Sequence, residues 1–325
     1  FCELNTDGSS AMNEDRVLGE ILFETNLMNE MKKDWEIDRF ELFHSLVKIF
    51  AKRYTRSRGV LPRTVAIVDF VDKGTTIEFE IFKKAFEEEG YLALICDPRE
   101  MHYENGKLIG TDKNQKVSAP IDMVYRRVVT SDFLERIDEC EEFLNAYKDN
   151  AFMMFGSFRS QVMHSKVIFD MLLASETKRL LTDNENKFLE KHIPKTKKLL
   201  TEEDFEEVIE NKDKYILKPY NSYASDGILL GRDYDKAGWE NTIKKLSPDS
   251  YIYQEYVDVS PWEFVEPIDG KFVINNFNHV LGMFMYGENF SGCYIRIGKS
   301  GIVSGARDYY VPPAFMVKRK NTEDV

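Results

Sequence analysis

The sequence predicts an α+β protein that contains an α/β part, and three observations support this fold class. The β-branched run "TVAIVDFV" precedes an amphipathic stretch that ends near Gly90. A second buried run, "LALICDP", follows that stretch. From about residue 214 onward, short strand-like runs are separated by Gly, Pro or charged residues. Strands alternating with helices are typical of a parallel sheet, whereas closely spaced strands are typical of an antiparallel one.

The composition is ordinary for a globular protein and excludes several classes of partner. The 325 residues are 43% hydrophobic and 31% charged, enough for two or more lobes. The net charge of -12 argues against nonspecific binding to nucleic acid. No apolar run reaches the roughly 18 residues of a membrane helix, so we expect no membrane partner. The four cysteines are far apart and form no CxxC pair, so we expect a reduced, cytoplasmic protein without structural zinc.

The first half of the chain is predicted to begin with helices and to continue as a small α/β unit. Residues 11–54 have apolar side chains at spacings of three and four, which predicts helix. "TRSRGVLPR" is a connector. The βαβ pattern of residues 62–130 predicts a Rossmann-like unit, in which "MHYENGKLIG" forms a hairpin. No G-x-G-x-x-G turn follows its first strand, so we predict no dinucleotide site there.

The second half is predicted to be a mixed α+β region built on an antiparallel sheet. Residues 131–149 and 164–192 have helical patterns, with "FMMFG" as a buried strand between them. The predicted strands after residue 214 are "KYILKPY", "GILLG", "YIYQEYV", "KFVINNFNHVLGMFMY", "GCYIRIG" and "GIVSGA". "IRIGKSG" ends like a phosphate-binding P-loop, but Cys293 stands where that motif needs its first Gly. A hairpin turn is therefore the better interpretation.

"YILKPYNSYASDGILLG" is the most informative stretch for function. A strand delivers Lys218, Pro219 ends the strand, and a loop of small polar residues with Gly227 precedes the next strand. A lysine beside a flexible loop with exposed N–H groups suits phosphate binding. The alternative is an ordinary hairpin with a surface lysine.

"FGSFRSQVMHSKVIFDMLL" contains two further candidate cations. Lys166 begins an apolar helix, where it either snorkels to solvent or forms a second phosphate-binding charge. Arg159 lies in a predicted turn, where it either grips a carboxylate or phosphate with two N–H groups or pairs with a surface acid.

Two other stretches have polar groups placed for ligands. "YIYQEYVD" is a strand whose exit can present backbone groups to an adenine edge, or be a solvated edge strand. In "FCELNTDGSS", Glu3 and Asn5 are two positions apart, so on a strand they point to one face. A carboxylate and an amide oxygen are ligands suited to Mg²⁺, although a solvated strand end is the simpler interpretation of this stretch alone.

Taken together, these stretches resemble the glutathionylspermidine synthase-like family, a circularly permuted branch of the ATP-grasp enzymes. The resemblance extends over nearly the whole chain and is specific in the order of its parts. It is carried by "ELNTDG", "YRRVVTSDFL", "FRSQVMHSK", "HIPKTK", "ILKPYNSYASDGI", "YIYQEYV" and "SGCYIRIGKSGIVSG".

The resemblance implies a circularly permuted ATP-grasp fold with a Rossmann-like pre-ATP-grasp domain. It implies that residues 1–56 are the metal-binding strand and helices of the ATP-grasp region. Residues 57–150 would be the pre-ATP-grasp domain, and residues 151–325 the ATP-grasp domain with a phosphate loop at 219–227. A further strand with ligands is expected upstream of Phe1.

The resemblance also implies roles for individual residues. ATP phosphates would be bound by two lysines and the mobile loop, adenine by a strand exit, and Mg²⁺ by the Glu-x-Asn pair, with an arginine and a lysine in catalysis. In that order, the residues are Lys166, Lys218, Ser222 and Gly227 for the phosphates; Gln254, Glu255, Tyr256 and Val257 for adenine; Glu3 and Asn5 for Mg²⁺; and Arg159 and Lys218 for catalysis.

The activity implied is amide-bond formation between a small-molecule or peptide carboxylate and an amine, driven by ATP through an acyl phosphate. Two alternatives stay open. The first alternative to a ligase is a catalytically degenerate ATP-grasp module that binds nucleotide or peptide. The second is another ATP-dependent enzyme, such as a small-molecule kinase. The single glycine of the phosphate loop favours the first of these alternatives. The acid, the amine and the oligomeric state are not specified by the sequence.

Overall fold

A computed structural model describes residues 1–72, 76–222, 225–304 and 309–320 of the chain. Its helices and strands form a mixed α/β structure. The helices are α1 (Met12–Phe23), α2 (Asn26–Asp34), α3 (Phe43–Arg58), α4 (Thr76–Glu88), α5 (Thr130–Glu135), α6 (Glu141–Lys148), α7 (Gln161–His164), α8 (Val167–Leu173), α9 (Ser175–Lys178), α10 (Asp183–His192), α11 (Glu202–Glu210) and α12 (Lys236–Ile243).

The described strands form four sheets of three or four strands and one two-stranded sheet. They are β1 (Trp35–Arg39), β2 (Thr64–Val68), β3 (Leu92–Cys96), β4 (His102–Glu104), β5 (Lys107–Thr111), β6 (Ser118–Pro120), β7 (Met123–Arg126), β8 (Met153–Phe155), β9 (Thr196–Lys198), β10 (Tyr215–Pro219), β11 (Leu229–Leu230), β12 (Tyr251–Glu255), β13 (Trp262–Ile268), β14 (Lys271–Tyr286), β15 (Asn289–Gly298) and β16 (Phe315–Arg319).

The described residues divide into two compact units. The first unit comprises Phe1–Thr6, Arg159–Val280 and Arg296–Tyr310. The second unit comprises Asp7–Phe158, Leu281–Ile295 and the described part of Val311–Val325. Each unit is therefore assembled from segments that are far apart in the sequence.

A four-stranded parallel sheet forms the centre of the second unit, with the order β3-β2-β7-β8. The central strand β2 is buried along its whole length, because Val65 and Ile67 pack into one core cluster and Ala66 and Val68 into another. A strand covered on both faces has a continuous apolar sequence. The strand-helix-strand order predicted for residues 62–130 is confirmed in β2, α4 and β3.

The hairpin predicted from the Asn-Gly pair is also confirmed. Strands β4 and β5 pair antiparallel around Asn105 and Gly106. Both residues have positive φ, at 52° and 74°. Asn and Gly are the residues that tolerate this conformation in a two-residue hairpin turn.

The helical prediction for residues 11–54 is wrong at "WEIDR". These five residues form β1, which pairs antiparallel with β16. Strand β16 lies far along the chain, so the local pattern of residues 11–54 does not contain the partner that makes β1 a strand. Pairing between distant segments decides the conformation here over the local apolar spacing.

The units divide the chain differently from the predicted boundaries at residues 56 and 150. Helix α3 belongs to the same core as the parallel sheet, since Phe43, Val47 and Phe50 pack with Val65 and Ile67. The apolar stripe of α3 thus covers one face of β2. Of the segment predicted as part of the ATP-grasp region, residues 1–56, residues 1–6 belong to the first unit and residues 7–56 to the second.

The first unit contains a four-stranded antiparallel sheet with the order β11-β10-β12-β9. Leu217 of β10 and Tyr253 of β12 are paired in register and pack into a core with Trp239 of α12 and Val208 of α11. Since side chains alternate along a strand, Lys218 and Gln254 point to the opposite face of this sheet. The antiparallel sheet predicted for the second half of the chain is confirmed.

The end of β15 differs in part from the prediction. The strand stops at Gly298, and the described residues of "GIVSGA", 301–304, form no strand. An isolated bridge joins Ile297 to Tyr310. Lys299, which stands at the lysine of the P-loop-like sequence, pairs with Glu266 at 2.7 Å. No helix follows it among the described residues, in agreement with the turn interpretation.

Within the described ranges, no helix combines the length and the apolar character that crossing a bilayer requires.

One of the buried ion pairs of the second unit, Lys83–Asp112, generates a stability prediction. Lys83 Nζ lies 2.8 Å from Asp112 Oδ2, and the two side chains are 4% and 0% exposed. Lys83→Met leaves a buried carboxylate without its cation, so the free energy of unfolding is expected to fall by about 3–5 kcal/mol. Urea denaturation measures this change.

The neighbouring residue supplies the control. Lys84 is 75% exposed and only approaches Glu88, at 3.7 Å. Lys84→Met is expected to change the free energy of unfolding by no more than about 0.5 kcal/mol. Equal losses for the two variants would contradict the assigned role of the Lys83–Asp112 pair.

Candidate functional site

Two lysines from different elements of the first unit are buried. Lys218 is on β10, directly before Pro219, and is 5% exposed. Lys166 is the residue before α8 and is 3% exposed. The interpretation of Lys166 as a lysine that snorkels to solvent is therefore wrong, because its whole side chain is covered.

Both ammonium groups are held by neutral oxygen atoms. Lys218 Nζ donates to the Cys2 carbonyl at 3.1 Å and to Gln254 Oε1 at 2.8 Å. Lys166 Nζ donates to the Ser222 carbonyl at 2.8 Å, and its backbone N–H donates to the Tyr220 carbonyl at 3.0 Å. The contacts of Lys166 join the start of α8 to the loop that follows β10.

The two lysines also interact electrostatically. Burial lowers the pKa of Lys166, the nearby negative charge of Glu3 opposes this, and the positive charge of Lys218 lowers the pKa further. Glu3, Lys166 and Lys218 therefore share one electrostatic environment, although Cys2 and Lys218 are 216 positions apart in the chain. The sequence-based expectation that the Glu-x-Asn stretch lies within reach of Lys218 agrees with these contacts.

These lysines differ from the other buried cations of the chain. In the second unit, Lys83 pairs with Asp112, and the two arginines that follow Tyr125 each pair with an acid. Among the residues that the structure describes, neither Lys166 nor Lys218 has a carboxylate within 4.0 Å. Burying a charge without an ionic partner is costly. The first unit therefore maintains two positive charges that an anion would stabilise.

Glu3 and Asn5 do not lie on a strand, contrary to the expectation, since residues 1–6 form no regular secondary structure. The two side chains still meet, because Asn5 Nδ2 donates to Glu3 Oε1 at 3.2 Å. The second carboxylate oxygen of Glu3 and the amide oxygen of Asn5 are hard ligands, which suits Mg²⁺ with most of its shell supplied by water and phosphate. No cluster of three or more His, Cys, Asp or Glu suited to a metal is found in the described ranges.

The loop after β10 requires glycine at its far end. Gly227 has φ of 68°, and a Cβ at this position would lie 2.7 Å from Pro219 Cγ. A side chain there would be strained and crowded, so one glycine is enough to fix this turn. Residues 223–224 of the predicted phosphate loop lie outside the described residues, whereas Ser222 is described and its carbonyl binds Lys166.

At the exit of β12, the first two backbone N–H groups donate hydrogen bonds to other backbone groups of the protein. Glu255 N–H donates to the Lys195 carbonyl at 2.8 Å, and Tyr256 N–H donates to the Lys214 carbonyl at 2.7 Å. Val257 is 56% exposed, and its N–H has no backbone partner among the described residues. Val257 is therefore the first residue after the strand whose amide is available to a ligand.

Two further predicted site residues, Gln254 and Arg159, differ in their exposure to solvent. The side chain of Gln254 is 1% exposed and points toward Lys218 rather than toward solvent. Arg159 is exposed in a short 3-10 helix, Phe158–Ser160, as the turn prediction requires. The next residue, Ser160, accepts a hydrogen bond from Thr6 Oγ1 at 3.0 Å. The catalytic role of Arg159 stays a prediction.

Sequence reasoning missed a buried polar network in the second unit. Asp7 accepts hydrogen bonds from the Thr130 N–H at 2.8 Å and from Thr130 Oγ1 at 3.0 Å. Asp7 also pairs with Arg126 Nη2 at 2.7 Å, with side chains 2% and 0% exposed. Asp7 is in "ELNTDG" and Arg126 in "YRRVVTSDFL", two stretches that carried the family resemblance without an assigned contact. The sequence shows an acidic residue in one stretch and an arginine, which is always charged, in the other. It does not show that the two are close in space, because they are far apart along the chain.

Comparisons with known proteins give similarity at the level of solved structures. No protein-family model and no curated protein matches the chain. A glutathione synthetase-like effector from Globodera pallida superimposes with a TM-score of 0.47 and 12% identity, covering 84% of this chain and 58% of the effector. The chain thus spans less than two thirds of that protein.

Two further solved structures resemble the chain. The ATP-grasp ligase PsnB has a TM-score of 0.37 and 12% identity, over 78% of this chain and 89% of its own. The macrocyclase MdnC from Microcystis aeruginosa has a TM-score of 0.40 and 15% identity, over 79% and 78% of the two chains. All three scores lie below 0.5, so the function proposed below rests on the site itself.

The unpaired charge of Lys166 generates a prediction about stability and pH. Since its pKa is lowered, the folded protein loses this proton more readily than the unfolded chain, and the charged amine costs stability near neutral pH. The cost disappears as pH rises from the lowered pKa toward 10.5, the ordinary value for lysine. Lys166→Met is expected to raise the free energy of unfolding of the ligand-free protein by about 1 kcal/mol near pH 7, and by less near pH 10.

Urea denaturation at several pH values measures this difference. The control is Lys187→Met, at an exposed position of α10 in the same unit, which should change stability by no more than about 0.5 kcal/mol at any of them. A loss of stability in Lys166→Met near neutral pH would contradict the unpaired state of this charge.

Proposed function

We propose that the chain is an ATP-dependent ligase that forms an amide bond between a carboxylate and an amine. The single observation that carries this proposal is the pair of buried ammonium groups, Lys166 and Lys218, without a carboxylate partner among the described residues. Folding retains such charges at a cost, which an anionic ligand offsets when it binds. The triphosphate of ATP has the charge and the length to contact two cations at once.

The surroundings of the lysines suit the other parts of the nucleotide. The loop that begins at Tyr220 contacts Lys166, which supports its proposed role as the loop that covers the phosphate groups. The available N–H of Val257 and the carbonyl groups at the exit of β12 suit the hydrogen-bonding edge of adenine. Glu3 and Asn5 would hold Mg²⁺, which supplies positive charge to the phosphate oxygens when it is bound.

The reaction proposed has two steps. A carboxylate oxygen of the acid substrate attacks the γ-phosphorus of ATP, the bond to the β-phosphate oxygen breaks, and ADP leaves. The amine then attacks the carbonyl carbon of the acyl phosphate, inorganic phosphate leaves, and the amine loses a proton. Lys218 and Lys166 bind and orient the phosphate oxygens, and Lys218 stabilises the negative charge of the transferring group. We propose that Arg159 assists in binding the acid or the transferring phosphoryl group.

At the level of family, we propose the glutathionylspermidine synthase-like branch with a circularly permuted ATP-grasp fold. The position of "ELNTDG" supports this proposal, since the first six residues belong to the same unit as Lys218. A metal-binding segment that precedes the phosphate-binding strand in the sequence and contacts it in the fold is what permutation would produce. The substrates are proposed to be a small-molecule or peptide carboxylate and an amine.

A second candidate function is a module that binds nucleotide without turnover. The observation that favours it is the single glycine, Gly227, in the loop of residues 219–227. The two candidates share nucleotide binding and differ in their products. A ligase releases ADP only when both an acid and an amine are present, a kinase needs one acceptor, and a binding module releases none.

Nucleotide binding is the first test. Mg·ATP at about one hundred times its dissociation constant is expected to stabilise the protein by about 2.7 kcal/mol, seen as a rise in Tm. Lys166→Met and Lys218→Met should each abolish most of this rise, while Lys187→Met should keep it. Absence of any shift in the unmodified chain at millimolar Mg·ATP would overturn the proposed function.

Turnover is the second test. ADP release is measured across a panel of carboxylates crossed with amines, including peptides and polyamines. Lys218→Ala is expected to lower the rate with the active pair by about 10²–10³-fold, because a charge that stabilises the transition state is lost. Unchanged turnover in Lys218→Ala would remove this residue from the mechanism, and ADP release with one acceptor alone would indicate a kinase.

A further inference from the structure

The side chain of Gln254 has an arrangement that adenine binding does not require. Gln254 is on β12 and Lys218 is on the adjacent strand β10, where Lys218 is paired with Ile252. The two side chains are thus diagonal neighbours on one face of the sheet, at a distance that long side chains can bridge. Gln254 Oε1 accepts a hydrogen bond from Lys218 Nζ at 2.8 Å, and the glutamine is 1% exposed.

A third strand fixes the orientation of the glutamine amide. Gln254 Nε2 donates to Thr196 Oγ1 at 2.8 Å, and Thr196 is the register partner of Gln254 on β9. The Thr196 hydroxyl in turn donates to the Pro194 carbonyl at 2.8 Å. Because its NH₂ group is bound to Thr196, the amide presents its oxygen, an acceptor, to the lysine.

These contacts leave a defined part of the ammonium group for a ligand. A lysine ammonium has three donors on a flexible stem of four carbons. Two donors of Lys218 are used, by Gln254 Oε1 and by the Cys2 carbonyl. Among the described residues, no other acceptor is bonded to Lys218 Nζ, so one N–H with a fixed direction remains.

We propose that Gln254 is a positioning residue for Lys218, which acts on the nucleotide phosphates through that lysine and does not recognise the base. Thr196 maintains this function by holding the glutamine amide. This inference rests on the proposed function, because it takes the phosphates of a nucleotide as the ligand of Lys218. It assigns to the "HIPKTK" stretch, which contains Thr196, a contact that the sequence alone does not specify.

The first test separates positioning from base recognition. Dissociation constants of Mg·ATP and Mg·ITP are measured by calorimetry, since the two nucleotides have the same phosphates and different bases. Gln254→Leu is expected to weaken both by the same factor, about tenfold or more, as expected for losing a hydrogen bond to a charged group. A change in the ratio of the two constants would assign Gln254 to the base and overturn the inference.

The second test is a double-mutant cycle with Lys218→Met. If Gln254 acts through the lysine, Gln254→Leu should cause no further loss of Mg·ATP affinity once Lys218 is replaced. Losses that multiply in the double variant would show independent action and overturn the proposal. An unchanged affinity in the single variant Gln254→Leu would overturn it as well.

Matched variants control for folding. Tyr253→Phe removes the hydrogen bond from Tyr253 Oη to Asp204, at 2.9 Å, on the opposite face of β12. It should leave Mg·ATP affinity unchanged. Thr196→Val should weaken the binding of Mg·ATP and of Mg·ITP by the same factor. Thr196→Ser, which keeps the hydroxyl, should retain the affinity of the unmodified chain for both nucleotides. This pair replaces Gln254→Leu if that variant does not fold, and equal affinity of the two Thr196 variants would then overturn the inference.

Failure of the proposed function is visible separately. It appears as absence of Mg·ATP binding by the unmodified chain and removes the basis of the inference. Failure of the inference alone appears as normal binding by the unmodified chain together with a changed nucleotide ratio or independent losses in the cycle.

Discussion

The site depends on keeping two ammonium groups charged in the interior of the first unit without neutralising them. Lys166 and Lys218 are surrounded by oxygen atoms of Ser222, Cys2 and Gln254, which are polar but uncharged. These uncharged oxygen atoms accept hydrogen bonds from the ammonium groups but do not neutralise their positive charge. Glu3 is the acid whose charge reaches Lys166, and it belongs to the segment proposed to hold the metal. The pairing of β10 with β12 and β9 makes this arrangement possible, because it sets Lys218, Gln254 and Thr196 on one face.

The second unit also contains buried cationic side chains, but it stabilises them differently. Its buried cations are neutralised by acids, as in the pairs Lys83–Asp112 and Arg126–Asp7. These acids also accept backbone hydrogen bonds, so each pair ties loops to the sheet and has few donors left for a ligand. Neutralised pairs are typical of structural elements, whereas unpaired charges are typical of binding sites. The contrast within one chain is what separates the candidate site from the other buried polar groups.

The sequence was sufficient for the strands of the parallel sheet, for β10 and β12 and for the hairpin turn, because these depend on local patterns. It correctly placed Lys218 at the end of a strand and Lys166 at the start of a helix. The strand β1 could not be predicted, since its partner β16 lies far along the chain. The direction of the Gln254 side chain could not be predicted from the sequence either. Alternation along β12 separates Gln254 from Tyr253, but only the register with β9 and β10 shows which face holds the lysine.

The interleaving of the two units has a consequence for how the chain folds. The first unit needs residues 1–6 together with residues 159–280 and 296–310, and Thr6 and Asp7 belong to different units. During synthesis, residues 1–6 leave the ribosome before the strands with which they form the first unit, which emerge more than a hundred residues later. Contacts of such long range slow folding and expose intermediates to aggregation. Neither unit corresponds to a continuous stretch of sequence, so each can reach its native state only after most of the chain is present.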